Sequence, residues 1–186
     1  RLATNRHNKV DMSTFTPDTN MMMELMKRLH PLHRTLLSDG MDRALEIIGE
    51  YLPGPGRYRI LEYPSGQNVW TWTIPKRFVV HEAYLEVVDG NSTERVVNFS
   101  DNPIHLVSYS DPIEGEFTFD EIAPHLHYNE EHPDATPWVF KYYDRDWGFC
   151  LPYSKFMSLP RNGKFRAVIS TELVDDFLRL GEYDIP

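Results

Sequence analysis

The chain has 186 residues and a formal net charge of −9, with 41% hydrophobic and 13% aromatic residues. That length fits one ordinary domain, or one domain plus part of another, and the apolar fraction is enough for a real core. The acidity, with no cluster of Lys or Arg set against it, argues against a nucleic-acid partner.

No apolar run approaches the roughly 20 residues that cross a bilayer, so no membrane role is expected. The start, Arg1-Leu2-Ala3-Thr4-Asn5-Arg6-His7, lacks the apolar stretch of a secretory signal. A lone cysteine, Cys150, rules out an intrachain disulfide and fits a reducing, cytoplasmic setting. A chain that begins with Arg and stops at Pro186 in strand-like sequence reads as a fragment of something longer.

Residues 1–19 are polar and irregular and read as a tail. From Asn20, Met22, Leu25, Met26 and Leu29 recur at helical spacing until Pro31 interrupts. A clearer helix follows Ser38-Asp39-Gly40, with Met41, Ala44, Leu45, Ile48, Tyr51 and Leu52 on one stripe, Ser38 or Asp39 as N-cap, and Pro53-Gly54-Pro55-Gly56 as the stop. The texture then changes to strands. Candidates are Tyr58–Tyr63, Val69–Ile74, Phe78–Val88, Glu94–Phe99, Ile104–Tyr109, Gly115–Phe119, Trp138–Lys141, Gly148–Leu151, Lys164–Thr171 and Phe177–Tyr183, with Asp89-Gly90-Asn91 as a hairpin turn. Short helices are predicted at Phe119–His125 and Tyr153–Leu159. The pattern predicts an α+β fold, two N-terminal helices followed by a mostly antiparallel β-rich module, because little helix is left for parallel crossovers.

The densest chemistry lies in Tyr142-Tyr143-Asp144-Arg145-Asp146-Trp147-Gly148-Phe149-Cys150-Leu151-Pro152. Buried charges must be paired, so Asp144, Arg145 and Asp146 are either a solvated turn or a structural ion pair bracing a loop. Tyr143 and Arg145 are also candidates for ligand contact. Cys150, between Phe149 and Leu151, reads as a small buried hydrophobe in preference to a thiol nucleophile. His125-Leu126-His127 could begin a metal site, but an exposed acidic loop is the preferred reading, and no metal ligands are assigned. Trp70 and Trp72 alternate and so would share one face of a strand, most simply for packing. No phosphate loop or nucleophile elbow is present. The residues alone give no reaction and no catalytic residue.

Read together, Leu32-His33-Arg34-Thr35-Leu36-Leu37-Ser38-Asp39-Gly40, Tyr63-Pro64-Ser65-Gly66, Trp72-Thr73-Ile74-Pro75, Ser108-Tyr109-Ser110, His125-Leu126-His127, the Tyr142–Pro152 block and Gly181-Glu182-Tyr183 resemble a bacterial aminopeptidase-like family. That family is catalogued as a domain of unknown function and looks related to zinc aminopeptidases of the M28 type. The Tyr-Tyr…Trp-Gly-Phe-Cys block is the specific part of the match.

The resemblance implies that residues 20–63 are opening helices and first strand of a peptidase-like domain. Residues 64–175 would be a β-rich insert, and 176–186 a strand returning to the peptidase-like domain. It implies zinc in the complete protein, held by His, Asp and Glu ligands beyond the Gly-Glu-Tyr segment. Those ligands have no matching positions here, so no cofactor is expected for this segment alone. The expected role is to shape or cover the active-site cleft of a zinc metallohydrolase acting on a peptide-like or amide small molecule. Tyr143, Arg145 and Trp147 would contact substrate, and the rest of the peptidase domain would be the partner, with a homo-oligomer left open. The alternative is a non-catalytic β-rich module that binds a peptide or glycan.

Overall fold

Asp18 opens α1 (Thr19–Leu29) by accepting the backbone N–H groups of Asn20 and Met21, the usual work of an N-cap. In the computed structural model residues 18–54, 56–90 and 92–185 are described, so the tail expected over 1–19 lies almost wholly outside them. No residue of α1 is buried, and Met21, Met22, Met23 and Met26 are exposed. Arg28 ties the helix to α2 (Asp39–Tyr51) through Glu50 at 2.6 Å. Ser38 caps α2 by accepting from Met41 N–H, and its hydroxyl donates to the carbonyl of His33 at 2.8 Å. Asp39 and Asp42 in the first turn suit the positive end of the helix dipole. Gly40 is required here, because a Cβ would stand 2.1 Å from the His33 carbonyl oxygen.

β1 (Tyr58–Pro64) pairs antiparallel with β10 (Phe177–Tyr183), from Tyr58 opposite Tyr183 to Pro64 opposite Phe177. Among the described residues each of these strands has only the other as neighbour. Between them in sequence lies a four-stranded antiparallel sheet in the order β5 (Ser92–Asn98), β4 (Arg77–Asp89), β9 (Lys164–Val174), β6 (Ile113–Thr118). Its core face carries Phe78, Leu85, Val97, Phe165, Ala167 and Ile169. The short helices α3 (Phe119–Ile122) and α4 (Tyr153–Ser158) cover it through Phe119, Ile122 and Phe156. A smaller core of Leu37, Ile74 and Leu178, with Tyr63 and Trp72 against it, joins the entry to α2 to the ribbon. The fold is the expected α+β one, mostly antiparallel; the exception is the parallel pair β7 (Leu126–His127) and β8 (Phe149–Cys150).

Three local expectations fail. Ile104–Tyr109 is not a strand: Asn102 caps a 3-10 turn over Pro103–His105, and only isolated bridges follow, from Leu106 to Phe149 and from Ser108 to Phe140. Trp138–Lys141 likewise contributes only that bridge at Phe140. Val69–Ile74 is a tight hairpin of β2 (Asn68–Val69) and β3 (Trp72–Thr73), with Trp70 in its turn at φ 55°. Trp70 is therefore fully exposed while Trp72 is half-buried, and the two do not share a face.

Candidate functional site

The chain from Val139 into the Tyr142–Pro152 block is zipped against residues 107–111. Ser108 N–H donates to the Val139 carbonyl at 3.0 Å, Lys141 N–H to Ser108 at 2.9 Å, and Asp111 N–H to Asp146 at 2.8 Å. Gly148 lets the chain pass close to β7, since a Cβ there would lie 2.6 Å from the His125 carbonyl oxygen. The segment is thus an ordered corner held by backbone bonds, on which side chains can be aimed.

Its inner half centres on Asp146. The carboxylate accepts from Lys141 Nζ at 2.9 Å, stands 3.3 Å from His125 Nδ1, and receives the Trp147 backbone N–H at 2.8 Å. Partial burial raises the Asp146 carboxyl, but the Lys141 hydrogen bond, the Trp147 N–H and the nearby Lys141 and His125 charges outweigh it, leaving it below the usual range. The His125 ring stacks on Trp147 with centroids 3.9 Å apart and planes at 10°, and Phe117 lies 5.3 Å from the indole. His127 sits alongside with its Nε2 buried and unpartnered among the described residues. Burial, then the Lys141 charge, push the pKa of His127 down. The histidine pair is therefore half-buried and not part of an exposed loop; the loop begins near Glu130.

The outer half is aromatic. Trp72 Nε1 donates to Tyr142 Oη at 2.9 Å, and Tyr142 donates in turn to the Thr73 carbonyl at 3.0 Å. The Tyr142 ring packs against Tyr143 at 4.5 Å and against Tyr109 at 5.3 Å. Tyr109 and Trp70 are the non-glycine residues with positive φ among those described, and both belong to this patch or the hairpin bonded to it. Such strain collects where a fold is constrained for a purpose.

The ion pair suggested within the Asp144-Arg145-Asp146 triplet is not the one formed. Arg145 Nε donates to Asp111 at 2.8 Å, Asp146 turns inward to Lys141 and His125, and Asp144 is exposed. Successive side chains of the turn diverge, so neighbours in sequence take partners elsewhere. Tyr143 is 78% exposed and the Arg145 side chain 87%, which leaves both free to meet a ligand. Trp147 is not with them, because His125 covers one face of its ring. Sequence reasoning missed Lys141 and Asp111, whose roles depend on contacts across the corner. Cys150 is fully buried, and burial pushes its thiol up to about 12.

A separate cleft of about 490 Å³ opens between the α1–α2 connection and the module, lined by residues that include His30, His33, Arg34, Asn102, Thr136 and Trp138. No sequence signal marked it as a unit. Among the described residues no three His, Cys, Asp or Glu side chains come together as metal ligands, so these residues do not fit a zinc centre. No described helix is long and apolar enough to cross a membrane.

Residues 77–172 match the family model described as a domain of unknown function, DUF2172. A Clostridium acetobutylicum protein, provisionally named as a polysaccharide biosynthesis protein with an aminopeptidase-like domain, is 34% identical over 161 residues, covering 87% of this chain and 35% of that protein. A crystal structure from Clostridium acetobutylicum, provisionally assigned as a peptidase, superposes with a TM-score of 0.77 at 32% identity, covering 88% of this chain and 37% of the other. The chain thus spans about a third of the length of the relatives it matches.

Proposed function

The chain belongs to the DUF2172 family, and from that membership we propose that it is the N-terminal part of an aminopeptidase-like zinc metallohydrolase, in which residues 64–175 are an insert that shapes or covers the active-site cleft. The observation that carries this reading is the β1–β10 ribbon. It brackets the whole four-stranded module, and each of its strands keeps an unpaired outer edge among the described residues. A two-stranded ribbon is marginal in water by itself, and its open edges and the exposed Leu180 and Phe177 are what strands inside a larger sheet present. Zinc is assigned in this reading to residues outside the chain, and no residue here takes a part in metal chemistry.

The module's part is to meet substrate. Tyr143 and Arg145 are its contacts, an aromatic face and a guanidinium on a corner that Trp147, Lys141 and Asp146 keep rigid. A peptide- or glycan-binding module without catalysis is the second reading, favoured by the exposed Trp70 and Tyr143 and by the polysaccharide term in the name of the Clostridium relative.

Metal analysis and hydrolysis of amino-acyl anilides by the complete protein separate the two. The expected result is tightly bound zinc, a His/Asp/Glu ligand set in the sequence after Pro186, and turnover that falls with Arg145→Ala at unchanged melting temperature. A complete protein without such ligands or zinc removes the hydrolase reading. Unchanged kcat and KM in Arg145→Ala remove the contact role alone.

A further inference from the structure

The cleft between the α1–α2 connection and the module has a composition unlike the rest of this acidic chain. No Asp or Glu is among its lining residues, and Arg34 is its one permanently charged group. Arg34 is exposed and has no carboxylate partner among the described residues. His33, by contrast, is held neutral, since burial pushes its pKa down to about 4. Its ring is wedged edge-on against Phe78 and Phe99, at 5.9 and 5.0 Å.

The wall that carries Arg34 is fixed. The His33 carbonyl accepts the Ser38 hydroxyl, and the backbone of Gly40 packs directly on His33. Facing it, Asn102 spends its side-chain oxygen on Ile104 N–H, which leaves its amide N–H groups as donors. Trp138 is 56% exposed, and Phe140 stacks against it at 5.2 Å and 23°, so one indole face is supported and the other is open. The volume of about 490 Å³ lies in the range of small-molecule sites. A preformed concavity with one unpaired guanidinium, neutral donors, an aromatic floor and no acceptor carboxylate selects against cations and neutral amines.

We propose that this cleft binds a small carboxylate-bearing ligand, with the carboxylate on Arg34 and the Asn102 amide and the ligand's ring or apolar part on Trp138. The carboxylate can be that of a short peptide's C-terminus or of an acidic sugar. The site stands whether or not the complete protein is a peptidase, because its test reads binding and not turnover.

The test is titration of the complete protein, with EDTA present to suppress any hydrolysis, followed by indole fluorescence and heteronuclear NMR, with four probes: Gly-Phe, Gly-Phe amide, methyl glucuronide and methyl glucoside. At least one acid should saturate in the millimolar range or tighter, with its neutral counterpart about 10-fold weaker or more, as loss of a charge-assisted contact requires. Whichever acid binds identifies the peptide or the sugar source. Arg34→Gln should weaken that acid by about 10-fold or more, while Arg166→Gln, an exposed cation on β9 paired with Glu114, should leave it unchanged. Trp138→Ala should remove the fluorescence response. The proposal is overturned if neither acid saturates by about 10 mM, if acid and neutral probe bind alike, or if folded Arg34→Gln binds as the parent does.

Discussion

Replacing Arg77 by Met should loosen the joint between the helices and the β-module. Arg77 opens β4, and its side chain is only 9% exposed. It donates to Asp39 at 2.7 Å and also engages Asp42 and Asp176. Arg179 shares Asp42 at 2.8 Å and holds Glu62 at 2.9 Å, so the cluster ties α2, β1, β4 and the β9–β10 turn together. Breaking a buried ion pair by removing one partner costs about 3–5 kcal/mol, because the remaining charges stay desolvated. Asp39 is fully exposed and adds little, while Asp42 and Asp176 are about a quarter exposed, so the low end, about 3 kcal/mol, applies.

For a chain of this size that corresponds to a fall in Tm of about 6–12 °C. Differential scanning calorimetry at neutral pH measures it. Arg77→Met with Asp176→Asn should recover part of the loss, since the second change removes a stranded charge. The pH profile gives an independent check. Burial raises the Asp176 carboxyl, but the Arg77 hydrogen bond, the Phe177 N–H and the Arg77 and Arg179 charges bring it below the usual carboxylate value. A depressed folded-state pKa means that this stabilisation is present above about pH 4 and is lost as pH falls further, so the parent should lose stability in acid more steeply than Arg77→Met. A Tm shift under about 2 °C, or parallel acid profiles, would refute the reasoning.

Gly148→Ala should lower stability by about 1–3 kcal/mol through overpacking against the His125 carbonyl; a denaturant midpoint equal to the parent's would mean the corner yields freely. Cys150 should resist a disulfide reagent in the native state and react only at the rate of unfolding, since it is buried and its thiol is raised to about 12. Rapid labelling of the folded chain would contradict that placement.

What could be read from the sequence was what depends on local chemistry. The α2 stripe and its Ser38 cap are decided within one turn of helix, and β4, β9 and β10 advertise themselves by β-branched and aromatic residues. The failures share a cause. Ile104–Tyr109 has strand composition, but Asn102 and Pro103 commit it to a 3-10 turn, and Trp70 makes a hairpin turn without the glycine that signals one. The partner of Arg145 is 34 residues away, beyond any reading of its neighbours. The Arg34 cleft is assembled from three distant segments and has no signature in any of them.

The ribbon also bears on the order in which the molecule folds. Glu62 and Arg179 meet although they stand 117 positions apart in sequence. Closing a flexible loop of that length carries an entropic penalty of about 4 kcal/mol beyond the constant for any closure, more than a two-stranded ribbon can recover by itself. Once β4 and β9 have paired along their length, that loop is no longer flexible, because the same pairing brings Arg77 opposite Val174 and delivers Pro64 and Phe177 to each other. The β-module is therefore expected to form before β1 and β10 pair, so that the latest of these contacts to appear during folding joins the segments that flank the module in sequence.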